Sequence, residues 1–123
     1  MTIMANDSPV GRRVLVAEDE YMLADDMRLD LEDQGIVVVG PAGTMADLGA
    51  ILSSGENFDA AILDINLAGE TIYAAASVLR ERQVPFVFAT GYDVSFIPED
   101  FRDVACIEKP IDLRRVLDAF GWT

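Results

Sequence analysis

The chain has no histidine, one cysteine, one tryptophan and only nine lysines and arginines among its 123 residues. Without histidine, and with the single thiol of Cys106, the usual nitrogen and sulfur zinc sites are excluded and no internal disulfide can form. Any metal would have to be held by oxygen. Twenty-two acidic side chains against nine basic ones give a formal charge of -13, which repels phosphate backbones and anionic lipid headgroups and argues against DNA or membrane as a partner. No stretch reaches eighteen uninterrupted apolar residues, and the start, MTIMANDSPVG, lacks the basic and apolar regions of a secretory leader. A soluble cytoplasmic protein is expected. Internal repeats and low-complexity tracts are also missing.

What remains is globular: 51% of residues are apolar and 25% charged. A chain of this length suits one domain, whose core buries about two-thirds of the surface the unfolded chain exposes. Residues 1–11 read as a flexible polar tail and 12–123 as the domain. Within it, the runs RVLVA, IVVVG, DAAILD, PFVFA and VACIE are short, bounded by turn residues and apolar at consecutive positions. Strands of that kind are buried on both faces of a parallel sheet.

Helical periods lie between them. Leu23, Met27 and Leu31 mark one face of a first helix that Gly35 ends in a left-handed cap. Thr44 and Asp47 open a second helix with the face Met45, Leu48 and Leu52. Ile72, Ala75, Ala76 and Leu79 mark a third, and Leu113, Val116, Leu117 and Phe120 a last one, with Asp112 as N-cap. The fourth connection, GYDVSFIPEDFRD, holds Pro98 and has room for one helical turn or two at best. The pattern is βα repeated: a doubly wound α/β fold of flavodoxin-like type, five parallel strands with a short or irregular fourth helix.

In such sheets ligands bind at the carboxyl ends of the strands. The first strand ends on Glu18 and Asp19, the third on Asp64, the fourth on Thr90 and the fifth on Lys109. In the strand order 2-1-3-4-5, with neighbours about 4.8 Å apart, Asp64 is flanked by the acidic pair on one side and Thr90 on the other. Lys109 stands two strands away, within reach of its long stem. Three crowded carboxylates repel one another and call for cations; Lys109 is one, and an all-oxygen site suits Mg²⁺ as another. A carboxylate between two such charges can act as a nucleophile toward phosphorus, with Asp64 the central candidate. Thr90 would then bond a phosphoryl oxygen, and Gly91 would let the backbone turn close beside it.

These residues carry a family resemblance. With VAEDE closing strand one, ILDINLAG closing strand three, FATG closing strand four and EKP closing strand five, the chain resembles a receiver domain of two-component response regulators. The resemblance implies that Asp64 is the phosphoacceptor, Asp19 a direct Mg²⁺ ligand and Glu18 a ligand acting mostly through water. It also implies that the backbone carbonyl of Asn66 completes the metal shell, that Thr90 and Lys109 hold the phosphoryl oxygens, and that the Lys109–Pro110 bond is cis. The FATGY form of strand four is similar to a subgroup of receivers named FATGUY for that motif, common in alphaproteobacteria, which lacks the aromatic switch on strand five. Cys106 stands at that position here. Tyr92 is a candidate substitute for the missing aromatic.

The implied function is a stand-alone phosphoacceptor signalling domain. It would receive its phosphoryl group from a sensor histidine kinase or a histidine phosphotransfer protein and lose it by hydrolysis, without being an enzyme on other substrates. The short stretch after Lys109 holds a last helix and no output module, so signalling would run through contacts with a downstream protein, or the domain would serve as a phosphate shuttle or sink. A monomer or weak dimer is expected. The alternatives are a receiver-like interaction module that is never phosphorylated, and a small-molecule phosphohydrolase. The latter wants a second acid two residues after Asp64, where Asn66 stands.

Overall fold

The structure, a computed structural model, describes residues 8–91 and 97–122. Strands β1 (Arg13–Ala17), β2 (Val37–Ala42) and β3 (Ala60–Asp64) alternate with helices α1 (Tyr21–Asp33) and α2 (Met45–Ser53). A two-residue hairpin, β4 (Asn66–Leu67) with β5 (Glu70–Thr71), precedes α3 (Tyr73–Glu81). Then come β6 (Phe86–Thr90), β7 (Cys106–Glu108) and α4 (Leu113–Phe120). The main sheet is parallel throughout, in the order β2-β1-β3-β6-β7. This is the expected 2-1-3-4-5 arrangement, with the hairpin as an addition outside it.

Alternation along the strands divides the core into two layers. Leu15, Ala61, Leu63 and Phe88 face α2 and α3, with Leu48, Ala76 and Leu79 packed on them. Val14, Val16, Ile62, Val87 and Ala89 face α1 and α4, with Met27, Leu31, Val116 and Trp122 on that side. Burial on both faces holds for the central strands but not for the edges. Val37, Gly40 and Pro41 of β2 and Glu108 of β7 are exposed, because an edge strand has a neighbour on one side only.

Helix ends follow local chemistry. The α1 terminus is closed by Gly35 at φ +80, with Gly35 N–H bonded to Glu32 O and Ile36 N–H to Leu31 O, the double bond of a Schellman cap. Thr44 Oγ1 accepts from Asp47 N–H at 3.0 Å and Asp112 Oδ1 from Arg114 N–H at 3.0 Å, as their N-cap assignments require. At the start of α1 the capping acid is Glu20, which accepts from Met22 and Leu23.

Two features near the site run against the sequence pattern. The apolar run IVVVG stops at Gly40, yet β2 continues to Ala42 through an irregularity in its pairing with β1. Gly40 sits there at φ +96, and a Cβ on it would lie 2.8 Å from Ala42 N and 3.0 Å from Val16 O. Only glycine fits. After β6, a 3-10 turn, Glu99–Phe101, is the described helical part of the fourth connection. Arg80 of α3 fastens it, bonding the Asp100 carbonyl and pairing with Asp103 at 3.1 Å while lying over the Phe86 and Phe101 rings. Tyr92, the candidate substitute for the missing aromatic, lies outside the described residues. Both Gly40–Pro41 and Lys109–Pro110 are cis. Among the described residues no helix is long and apolar enough to cross a membrane.

Candidate functional site

Every strand that was expected to deliver a site residue ends at the same edge of the sheet. Ala17 pairs with Leu63, Asp64 with Ala89, and Thr90 with Glu108, so β1, β3, β6 and β7 release their next residues side by side. The β2 irregularity contributes here as well. Ala42 O accepts the Glu18 N–H at 2.9 Å, which holds Glu18 at the strand end instead of letting it fray into the loop.

Three carboxylates converge. Glu18, Asp19 and Asp64 can each offer an oxygen within 4.8 Å of the others. Glu18 is 2% exposed and Asp64 6%, whereas Asp19 lies open to solvent. Lys109 reaches across from the end of β7, its Nζ 2.8 Å from Asp64 Oδ2 and 2.6 Å from Glu18 Oε1. Both contacts are short, charge-assisted pairs to the one ammonium. Glu18 Oε2 accepts from Glu20 N–H at 2.9 Å.

Burial pushes the Glu18 carboxyl above its usual range; Lys109 and the Glu20 amide oppose this shift, and the neighbouring Asp64 charge adds to it. Burial alone would pull Lys109 down, but its bonds to Asp64 and Glu18, with the attraction of both charges, leave its ammonium above the ordinary value. The site thus keeps its lysine charged while one acid bears a cost for ionisation.

The donor set fits a hard divalent cation. All candidate ligands are oxygen, three carboxylates share the single ammonium of Lys109, and the open Asp19 leaves space for water in the shell that Mg²⁺ retains. Glu18 and Asp19 from β1 and Asp64 from β3 are the side chains that would hold it.

Thr90 closes β6 half-buried, its carbonyl accepting the Lys109 N–H at 2.8 Å, so hydroxyl and lysine are tied through the backbone. Gly91 is not forced by crowding: a Cβ there meets nothing within 4 Å, and its φ is not in the left-handed region. Cys106 is opposite Phe88 in register and partly buried against the cluster that contains Phe88 and Phe101. Tyr73 stacks on Phe101 at 5.6 Å and meets Phe88 edge-on at 5.9 Å, so α3 supplies aromatic bulk on this side of the sheet. Burial, then the charge of Glu108, pushes the Cys106 thiol up.

The sequence pattern missed the hairpin that follows Asp64. Asn66 N–H donates to Asp64 Oδ1 at 3.2 Å, and Ala68 N–H to Asp19 Oδ2 at 2.9 Å. Ala68 and Gly69 form the turn at φ +51 and +87. Asn66 Oδ1 accepts from Gly69 N–H at 3.1 Å.

No protein-family model matches the chain. The Transcriptional regulatory protein PdtaR of Mycobacterium tuberculosis is 30% identical over 117 residues, covering 92% of this chain; the chain spans 57% of the length of that relative. SdrG from Sphingomonas melonis Fr1 is 35% identical, with a TM-score of 0.79, and the match covers 92% of this chain and 98% of SdrG. A BeF3-activated conformation of SdrG from Pseudomonas melonis Fr1 is 34% identical with a TM-score of 0.73, covering 89% of this chain and 95% of that one. The response regulator PhyR from Brucella abortus is alike in fold, at 24% identity and a TM-score of 0.76, covering 96% of this chain and 51% of PhyR. The fold agrees with that of these solved structures, and the chain belongs to the receiver domains of response regulators.

Proposed function

We propose that the chain is a phosphoacceptor whose acceptor group is Asp64. The observation that carries this reading is the position of Lys109 Nζ, 2.8 Å from Asp64 Oδ2 beside a cluster of carboxylates able to hold a divalent cation. Asp64 attacks phosphorus, an O–P bond forms, and the P–N bond of a phosphohistidine donor breaks, returning the electron pair to imidazole. Lys109 offsets charge on the transferring oxygens, and Thr90, one strand away, donates its hydroxyl to one of them. Glu18, Asp19, Asp64 and the Asn66 carbonyl would hold a Mg²⁺ ion, Glu18 mostly through water, and the ion would supply further charge neutralisation when bound. Hydrolysis of the aspartyl phosphate resets the domain.

The donor is a sensor histidine kinase or histidine phosphotransfer protein, and output runs through protein contacts or by passing the phosphoryl group on. Residues 12–123 act as one receiver unit, working in the cytoplasm as a monomer or weak dimer. FATGY together with Cys106 supports assignment to the FATGUY subgroup. The BeF3-activated form of SdrG supports a phosphoryl-responsive site in a relative of this chain. The test is transfer from a purified, radiolabelled histidine phosphotransfer protein: label should move to the native chain and not to Asp64→Ala. Equal labelling of both would refute the assignment of the acceptor.

A further inference from the structure

The turn of the β4–β5 hairpin carries a non-glycine residue in the left-handed region, Ala68 at φ +51, and its backbone amide points at a carboxylate from another strand. Single non-glycine residues in that region are disfavoured and persist where surrounding structure holds them. Here the holding is visible. Leu67 is fully buried, Asn66 pairs with Thr71, and Leu67 pairs with Glu70. The Asn66 side chain accepts from Gly69 across the turn, and Ile72 N–H bonds Ile65 O at 2.9 Å beneath it.

The result is two backbone amides, two residues apart, each donating to a different member of the acidic cluster: Asn66 to Asp64 and Ala68 to Asp19. Without some constraint, two carboxylates so close would swing apart by repulsion. We propose that the hairpin is a clip that pre-positions Asp19 and Asp64 for the divalent cation, with Ala68 as the positioning residue and Asn66 as the brace of its turn. This inference rests on the metal-assisted phosphoacceptor reading above. Its physical content is that the cation binds a spacing already set, so binding does not have to supply the work of gathering the ligands.

The decisive variant is an amide-to-ester replacement at Ala68, made by semisynthesis, which deletes the N–H and keeps the side chain. Asn66→Ala removes the brace by ordinary mutagenesis, and Ala68→Gly keeps the donor while relieving the backbone. Mg²⁺ affinity of each free chain is read by chemical-shift titration, beside Asp64 labelling by acetyl phosphate. The ester should raise the Mg²⁺ dissociation constant about tenfold, the size usual for lost outer-shell partners. Asn66→Ala should weaken binding in the same direction, and Ala68→Gly should stay near native. Native-like or tighter Mg²⁺ binding by the ester overturns the clip, as does a Gly variant that loses as much affinity as the ester. If the native chain is labelled and binds Mg²⁺ in those cases, the phosphoacceptor reading stands; if the native chain does neither, that reading falls with the clip.

Discussion

Replacing Lys109 by methionine keeps the length and apolar stem of the side chain and removes its charge. In the native site Nζ lies 2.6 Å from Glu18 Oε1 and 2.8 Å from Asp64 Oδ2, with the side chains of the lysine and of both acids largely buried. At an effective dielectric of about 20, each contact is worth roughly 6 kcal/mol in gross attraction, most of it offset by desolvation. Removing one partner of a buried pair leaves the others uncompensated and typically costs about 3–5 kcal/mol. Lys109 is not fully buried, so we expect the lower end, about 3 kcal/mol. For a domain of this size that corresponds to about 10 °C in Tm. Because its folded-state pKa is raised, the lysine's contribution is fully present at neutral pH and fades only on the alkaline side, above its ordinary pKa. The assay is thermal and urea unfolding by circular dichroism in EDTA at neutral pH, repeated with Mg²⁺. The metal should narrow the gap, since it restores positive charge between the same acids. Lys109→Met as stable as the native chain in EDTA would refute the reasoning, for it would mean that the acids do not depend on this ammonium.

Three further outcomes follow from the site and its supports. Glu18→Gln should stabilise the metal-free chain at neutral pH, because a carboxyl whose folded pKa is raised costs stability once pH rises through it; the gain should vanish in acid, below the unfolded value, and urea titrations across pH will show whether it does. Gly40→Ala should lose about 3 kcal/mol through its positive φ and backbone clash, whereas Gly91→Ala, facing open space, should stay within about 0.5 kcal/mol; equal losses in chemical denaturation would contradict this account of the glycines. Cys106 should react with iodoacetamide more slowly than an unstructured thiol at pH 8, and a rate matching the unfolded chain would be inconsistent with its raised pKa.

The parts legible in the sequence are those with their own local signal. Central strands announce themselves as unbroken apolar runs, and RVLVA coincides with β1 residue for residue. The residues that meet at the sheet edge are readable because each lies at the end of such a run or just beyond it, so locating strand ends locates Glu18, Asp19, Asp64, Thr90 and Lys109 as candidates. The rest depends on tertiary context. Gly40–Pro41 looks like the end of a strand, yet the pairing with β1 carries β2 through to Ala42, where its carbonyl fixes Glu18. The β4–β5 hairpin has two residues per strand, too few for periodicity, and its Ala68–Gly69 turn lacks the asparagine or aspartate that usually signals such geometry. The turn that Gly91 was expected to open continues into residues outside those described, and a Cβ on Gly91 would meet nothing within 4 Å.

The central claim, that Asp64 is the phosphoacceptor, is tested most directly by chemical localisation. The native chain is incubated with acetyl phosphate and Mg²⁺, weighed intact, reduced with borohydride and mapped by peptide mass spectrometry. The account predicts one added phosphoryl group, Mg²⁺-dependent, with the reduced residue at position 64 and no adduct in Asp64→Ala. An adduct that survives Asp64→Ala, or that maps to Asp19 or Glu18, would contradict it.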